Sequence, residues 1–337
     1  MREELLPPPS IEGLSDDEVT AAPWKTEYDV VVTLQELGHR VRPLGVYDDL
    51  RPIRQAIARY RPNIAFNLLE EFGGFAAFDQ NVVSYLELMR LPYTGCNPRG
   101  LLIARDKALT KKLLAFHRIR VPDFAVFRRG RQIRRPRRLR FPLFVKSVSE
   151  DASLGISRAS LVADEDSLAA RVAFVHEHAG SDAIAEEFID GRELYVGVLG
   201  NARLDVFPVW ELLFERKREE MPLIATAHAK WNLKYQKKWG VTSRAAKDLT
   251  PEMTRRIHQR CRRIYRILNL SGYARMDFRL APDGALYFLE ANPNPQLAYG
   301  EDFAESAELR GIPYDRLLQR ILNLGLRWHA QRGGQAT

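Results

Sequence analysis

Apolar residues recur at near-helical spacing in "EYDVVVTLQELG" (27–38), and the run stops at Gly38, a residue suited to close a helix. "HRVRPLGV" then reads as a short strand, "LRPIRQAIARY" as a helix and "NIAFNLL" as a buried strand. This alternation predicts a parallel sheet with flanking helices. Such a unit normally opens on a strand, yet residues 1–23 are charged and Pro-rich. The expectation is that the first strand lies upstream or is lacking.

Further along, "RDKALTKKLLAFHRI" (105–119) predicts a helix and "VPDFAVF" a strand. "PLFVK" is a strand leading into the small-residue loop "SVSEDASLGIS", of a kind that folds over phosphates. "SLAARVAFVHEHA" is helical and "DAIAEEFI" extended. Asp190-Gly191 signals a tight turn into the returning strand "ELYVGVLG". A strand near 203–210 precedes a polar and aromatic stretch, 214–247, of weak periodicity. "PEMTRRIHQRCRRIYRIL" is a strong helix with Pro251 in its first turn. Paired strands 273–280 and 285–291 and a helix "DRLLQRILNLGLRW" end the pattern.

Candidate chemistry concentrates in "YARMDFRLAPDGALYFLEAN". Asp283-Gly284 is a hairpin signal. A two-residue turn there sets Asp277 opposite Glu290 and Arg275 opposite Asn292. Side chains alternate across a strand, so these four project on one face, with Ala274, Met276, Phe278 and Leu280, and with them Tyr287 and Leu289, on the other. Two carboxylates and a carboxamide form a hard-oxygen set, which Mg²⁺ prefers. A surface hairpin with a cross-strand Arg–Asp pair explains the same spacing, and an odd-length turn would break the face. Lys146 ends an apolar strand, where a charge is costly unless the strand opens on a cleft. Glu186 and Glu187 end another, and Lys107 opens a helix behind Asp106. Together with loop 149–155 they outline a nucleotide cleft.

Composition narrows the partners. The 337 residues are 45% hydrophobic and 28% charged, ordinary for a globular protein, with room for two or three domains. There is no apolar run of membrane-spanning length and no signal-peptide core, and the two cysteines have no metal-ligand spacing. The expectation is a cytoplasmic protein with no membrane partner. The net charge of +8 owes much to "RRGRQIRRPRRLR" (128–140), with eight arginines. Without interleaved aromatics, it reads as a solvated connecting loop rather than a nucleic-acid site. His176, His178 and His228 show no metal spacing with carboxylates and read as structural.

The motifs "FNLLEEFGG", "LELMRLPYTGC", "ARDKALTKKLL", "PLFVKSVSEDASLGIS", "AEEFIDGREL", "AKW" and "ARMDF…YFLEANPNP" occur in the order found in the ATP-grasp superfamily. The chain resembles its D-alanine–D-alanine ligase family from about residue 60 to 325. The resemblance implies an α/β ATP-grasp fold, α+β in its C-terminal part, with an N-terminal parallel-sheet domain (1–104), a central lid domain (105–189) and a C-terminal domain carrying a Mg²⁺ site (190–330). It implies ATP contacts from Lys107, Lys146, Ser153, Glu186, the backbone of Glu187, Phe188 and Ile189, and Glu193. Asp277, Glu290 and Asn292 would hold Mg²⁺, with Mn²⁺ as a substitute. Arg275 would stabilise developing negative charge, and Lys230 would reach the γ-phosphate from a mobile loop. The implied reaction joins a carboxylate and an amine, from an amino acid or small peptide, through an acyl phosphate. A homodimer is compatible with it.

The substrate side departs from the family pattern. "EDASLG" stands for Glu-Gly-Ser-Ser-x-Gly, "NPNPQ" for Asn-x-x-Pro-Gly, Glu70 for a histidine and Glu301 near an expected serine, and the N-terminal Gly-rich segment is not visible. Glu70, Glu71, Asp151 and Glu301 suggest a cationic or amine-rich substrate. D-Alanine–D-alanine ligation, a non-catalytic nucleotide-binding regulator and a nucleic-acid-binding protein stand as alternatives.

Overall fold

A computed structural model describes residues 1–149, 157–214 and 240–333. The N-terminal part carries helices α1 (Asp16–Ala21), α2 (Lys25–Glu36), α3 (Arg51–Tyr60), α4 (Asp79–Leu88), α5 (Pro98–Arg105) and α6 (Lys107–Phe116). Its parallel pairing is reduced to two isolated bridges, Arg2 with Val46 and Ala65 with Tyr93. "HRVRPLGV" is therefore not a strand: Pro43 offers no N–H to a ladder. Nor does "NIAFNLL" form one beyond Ala65. Arg2 supplies the bridge expected of a first strand. The Glu3 N–H donates to Val46 at 3.2 Å, and the Val46 N–H to Met1 at 3.1 Å.

The middle of the chain forms a four-stranded antiparallel sheet from β1 (Phe124–Phe127), β2 (Leu143–Ser147), β3 (Leu161–Val162) and β4 (Ala183–Glu187), ordered β1-β4-β2-β3. Helix α7 (Glu165–His178) lies against β2. Asp164 caps it by accepting the Ser167 N–H at 2.7 Å. Leu143, Val145, Val162, Leu168, Val172 and Ala185 give this sheet a core of its own. Loop 128–140 connects β1 and β2. Most of its arginines are exposed, but Arg135 binds Glu165 at 2.7 Å and the Leu139 carbonyl.

A larger antiparallel sheet follows. It comprises β5 (Arg192–Gly200), β6 (Leu204–Val206), β7 (Trp210–Phe214), β8 (Val241–Ala245), β9 (Tyr273–Leu280) and β10 (Leu286–Pro293), ordered β10-β9-β5-β7-β8 with β6 also on β5. Helices α8 (Pro251–Ile267), α9 (Asp302–Leu309) and α10 (Tyr314–Gly333) complete the chain. In α8, Ile257, Cys261, Ile264 and Tyr265 stand at i, i+4, i+7 and i+8, on one helical face, and are buried. Each such side chain contributes roughly 1.5–3 kcal/mol. The cores of this sheet and of the N-terminal helices are continuous: Val83, Leu101 and Leu114 pack with Val196, Met276 and Phe288.

Asp190-Gly191 does not make the expected hairpin. β4 and β5 belong to different sheets, and Gly191, at φ +139, carries the chain between them. A Cβ there would meet the Leu280 carbonyl oxygen at 2.2 Å.

Candidate functional site

The hairpin of β9 and β10 pairs Asp277 with Glu290 and Arg275 with Asn292, as the alternation of side chains predicts. The route differs from a two-residue turn. Leu286 pairs with Leu280, which leaves five residues, 281–285, in the connection. That odd count alone would put Glu290 on the apolar face. A β-bulge at Leu289, between the pairs Phe288–Phe278 and Glu290–Asp277, restores the alternation, so that Leu286 and Phe288, and not Tyr287 and Leu289, are buried.

The resulting polar face is tightly organised. The Arg275 guanidinium donates to both oxygens of Asp277 at 2.9 Å and lies 4.6 Å over the Tyr195 ring. The Asn292 amide donates to Asp277 at 3.1 Å. Burial works against the Arg275 charge, but Asp277 outweighs it and raises the guanidinium pKa. β5 adds Tyr195 opposite Asp277 and Glu193 opposite Arg279. Glu193 accepts from the Tyr195 hydroxyl and from Arg279, both at 2.8 Å, and Arg279 also donates to the Gly191 carbonyl at 3.0 Å.

The smaller sheet presents Lys146 and Glu186 to this face. Phe144 is the cross-strand partner of Glu186, so Lys146, two residues on, shares its side. Lys146 Nζ is 3.3 Å from Glu186 Oε1 and 3.7 Å from Glu290 Oε2, which bridges the two sheets. Burial opposes the Lys146 charge, yet the two carboxylates raise its pKa overall. Lys111 also reaches Glu186, at 3.4 Å, and donates to the Leu289 carbonyl. Desolvation lowers its pKa to about 8, with Glu186 opposing that shift.

Lys107 opens α6, buried, behind Asp106, which caps the helix by accepting the Leu109 N–H at 2.8 Å. Glu187 accepts the Arg140 N–H at 2.8 Å. The backbone N–H groups of Glu187 and Phe188 donate to Asp123 and Pro142. Ile189 follows, half-buried, at the end of the same stretch. Lys230 and Ser153 lie outside the described residues, as do Asp151 and His228. His176 and His178 bind the backbone carbonyls of Phe127 and Phe174 at 2.8 and 3.0 Å, in keeping with structural roles. Lys111, Tyr195 and Arg279 escaped the sequence reading. Alternation from Glu193 and Asp277 places the last two on the face, and Lys111 follows Lys107 by one helical turn.

The stretch after Asn292 ties this hairpin to the N-terminal helices. Asn294 accepts the Cys96 N–H at 2.8 Å, and Gln296 donates to Thr26 at 3.3 Å. The Tyr299 N–H donates to the Asp29 carboxylate at 2.8 Å, and its carbonyl accepts from the Lys25 ammonium at 2.9 Å. Nearby, Glu27 is buried with Oε2 lacking a hydrogen-bond partner. Burial first, and then Glu70, push its carboxyl up to about 7, against Arg2 and the Met1 amino group. Glu301 is raised as well, by burial and then Asp302, against Lys25 and Arg275. Glu71 is paired with Arg2 at 3.1 Å.

The donor set suits a hard divalent cation. Among the described residues no three His, Cys, Asp or Glu side chains converge as a metal site. Two carboxylates and an amide on one strand face are the sparse protein share that Mg²⁺ takes when phosphate oxygens and water complete its shell. No described helix is long and apolar enough to cross a membrane.

Residues 113–323 match the family model "D-ala D-ala ligase C-terminus". The D-alanine–D-alanine ligase of Nitratidesulfovibrio vulgaris (strain DP4) is 30% identical over 317 residues, covering 91% of this chain and 96% of that one. An uncharacterized protein, y4sG, of Sinorhizobium fredii is 29% identical over 322 residues, covering 92% and 91%. The crystal structure of the Bacillus anthracis D-alanine–D-alanine ligase complexed with ATP superposes with a TM-score of 0.75 at 23% identity, covering 95% of this chain and 97% of that one. The fold is thus the α/β ATP-grasp fold that the motif order implies, and the chain belongs to the D-alanine–D-alanine ligase family of ATP-grasp carboxylate–amine ligases.

Proposed function

We propose that this chain is an ATP- and Mg²⁺-dependent ligase that joins the carboxylate of an amino acid or small peptide to an amine, through an acyl phosphate. The observation that carries the reading is the single polar face of Arg275, Asp277, Glu290 and Asn292, bridged by Lys146 to Glu186 across the two sheets. The three-domain division at 104 and 189 belongs to the same proposal.

Asp277, Glu290 and Asn292 would hold Mg²⁺, which supplies charge neutralisation between phosphate oxygens. Lys107 and Lys146 would bind phosphate oxygens as point charges. Glu186, Ile189 and Glu193 would orient the adenine and ribose. The substrate carboxylate oxygen bonds to the γ-phosphorus as the bond to the bridging oxygen breaks, releasing ADP. The amine nitrogen then bonds to the acyl carbon, the carbon–oxygen bond to phosphate breaks, and the amine proton passes to solvent. Arg275, held charged by Asp277, would face the oxyanion of the second step. Such a site works by positioning and electrostatics, which is why it displays lysines and carboxylates and no activated nucleophile.

On the substrate side, Glu70 and Glu301 would favour an amine-rich or cationic substrate, whereas Glu71 is paired with Arg2. ADP release measured over a panel of D-alanine, basic, neutral and acidic amino acids and dipeptides tests this. Release that needs both a carboxylate and an amine supports the ligase reading, with basic acceptors fastest. Equal or faster rates with acidic acceptors contradict the substrate assignment. A preference for D-alanine alone assigns the chain the activity named for its relatives.

A further inference from the structure

Lys111 is wholly buried in α6, among side chains that are otherwise part of the large core. A lysine in that position requires partners, because an unpaired buried ammonium is far too costly. Its partners are specific. Nζ donates to the carbonyl of Leu289, the bulged residue of β10, and lies 3.4 Å from Glu186 Oε1. The Phe288 ring centre is 5.8 Å away. Glu186 Oε1 meets Lys111 and Lys146 as ion pairs without hydrogen-bond geometry. Lys111, Glu186, Lys146 and Glu290 thus alternate in sign along one line from core to cleft.

Stability is a weak explanation for this arrangement, since apolar groups of the same volume commonly replace buried ion pairs at little or no loss. Geometry is a better one. The bulge decides whether Glu290 faces the cleft or the apolar side, and its carbonyl is turned out of the ladder onto Lys111. Fixing the Leu289 carbonyl fixes the peptide plane from which Glu290 departs. The same ammonium pairs with Glu186, which among the described residues also pairs with Lys146, the lysine shared with Glu290.

We propose that Lys111 is a positioning residue that holds the Leu289 bulge and Glu186 together, and so sets Glu290 for metal binding. The inference rests on the reading of Glu290 as a metal ligand. Its test is Mn²⁺ titration in the presence of ADP, followed by electron paramagnetic resonance, on the parent, Lys111→Met and Lys111→Arg. Groups behind a metal ligand typically alter affinity by about 10- to 100-fold. The expected result is at least a ~10-fold loss in Lys111→Met at unchanged secondary structure, with most of it recovered in Lys111→Arg. If the Met variant does not fold, Lys111→Gln, which keeps a donor but no charge, takes its place with the same expected loss. A folded Met or Gln variant that binds Mn²⁺ like the parent overturns the inference alone. A parent that binds no Mn²⁺ with ADP overturns the metal reading and this inference with it.

Discussion

Asp277 and Glu290 face each other across β9 and β10 because one residue between them and the turn, Leu289, is bulged out of register. Glu290 belongs to a polar face, where it pairs with Lys146 at 3.7 Å. Glu290→Gln should therefore abolish Mg²⁺-dependent ADP formation, by about 100-fold or more, while the melting temperature moves little. Unchanged turnover would reject the metal assignment.

Arg275 binds Asp277 through two parallel bonds, a geometry a lysine cannot reproduce. Arg275→Lys keeps the charge and loses the fork. Steady-state kinetics should show kcat down about 100-fold with KM for ATP nearly unchanged. A change confined to KM would place Arg275 in ground-state binding.

Glu27 gives a pH signature. Its folded pKa, about 7, lies above its ordinary value because of burial and then Glu70, so the folded state holds the proton more tightly than the unfolded one. Stability from this group is present at low pH and is lost as pH rises through about 7. Glu27→Gln should raise the melting temperature at pH 8 by about 2 °C and do little at pH 5. The reverse order in a thermal melt series would show Glu27 ionised and paired.

Gly95 is a packing prediction. It sits at φ +91 with the Asn294 carboxamide so close that an added Cβ would lie 2.4 Å from Oδ1. Gly95→Ala should lower stability by about 2 kcal/mol in urea denaturation, from backbone strain and displacement of the Cys96–Asn294 bond. A loss under about 0.5 kcal/mol would mean that the loop after Asn292 is not anchored there.

Arg137, Arg138 and Arg140 are exposed, and the reading of loop 128–140 as a connector expects nothing of them in catalysis. Replacing all three by Gln should leave ADP release unchanged. RNA retained by the parent at physiological salt, and released by the triple variant, would favour the nucleic-acid alternative instead.

Side-chain alternation made Arg275 with Asp277, and Glu290 with Asn292, legible as pairs on their own strands; that the two pairs share a face is owed to the bulge, which offsets the odd connection. The bulge was hidden, since nothing local to Leu289 marks it; its support, Lys111, comes from a helix far away in sequence. Asp190-Gly191 misled for a related reason. Such a dipeptide reports a local reversal and carries no information about which sheet the next strand joins, and here β5 joins β9. In the N-terminal part, pattern announced strands, but Pro43 and a charged surrounding left only the bridges at Val46 and Ala65. Glu27 carries no mark in the local pattern of α2, because the charged groups that act on it, Met1, Arg2 and Glu70, come from other segments of the chain.

The most direct test of the central claim uses ATP, Mg²⁺ and a pooled amino-acid and dipeptide library whose carboxylates carry heavy oxygen, with products read by mass spectrometry. A ligase working through an acyl phosphate yields a new amide together with inorganic phosphate that has gained one labelled oxygen from the carboxylate. Phosphate without label, or ADP without any new amide, contradicts the account.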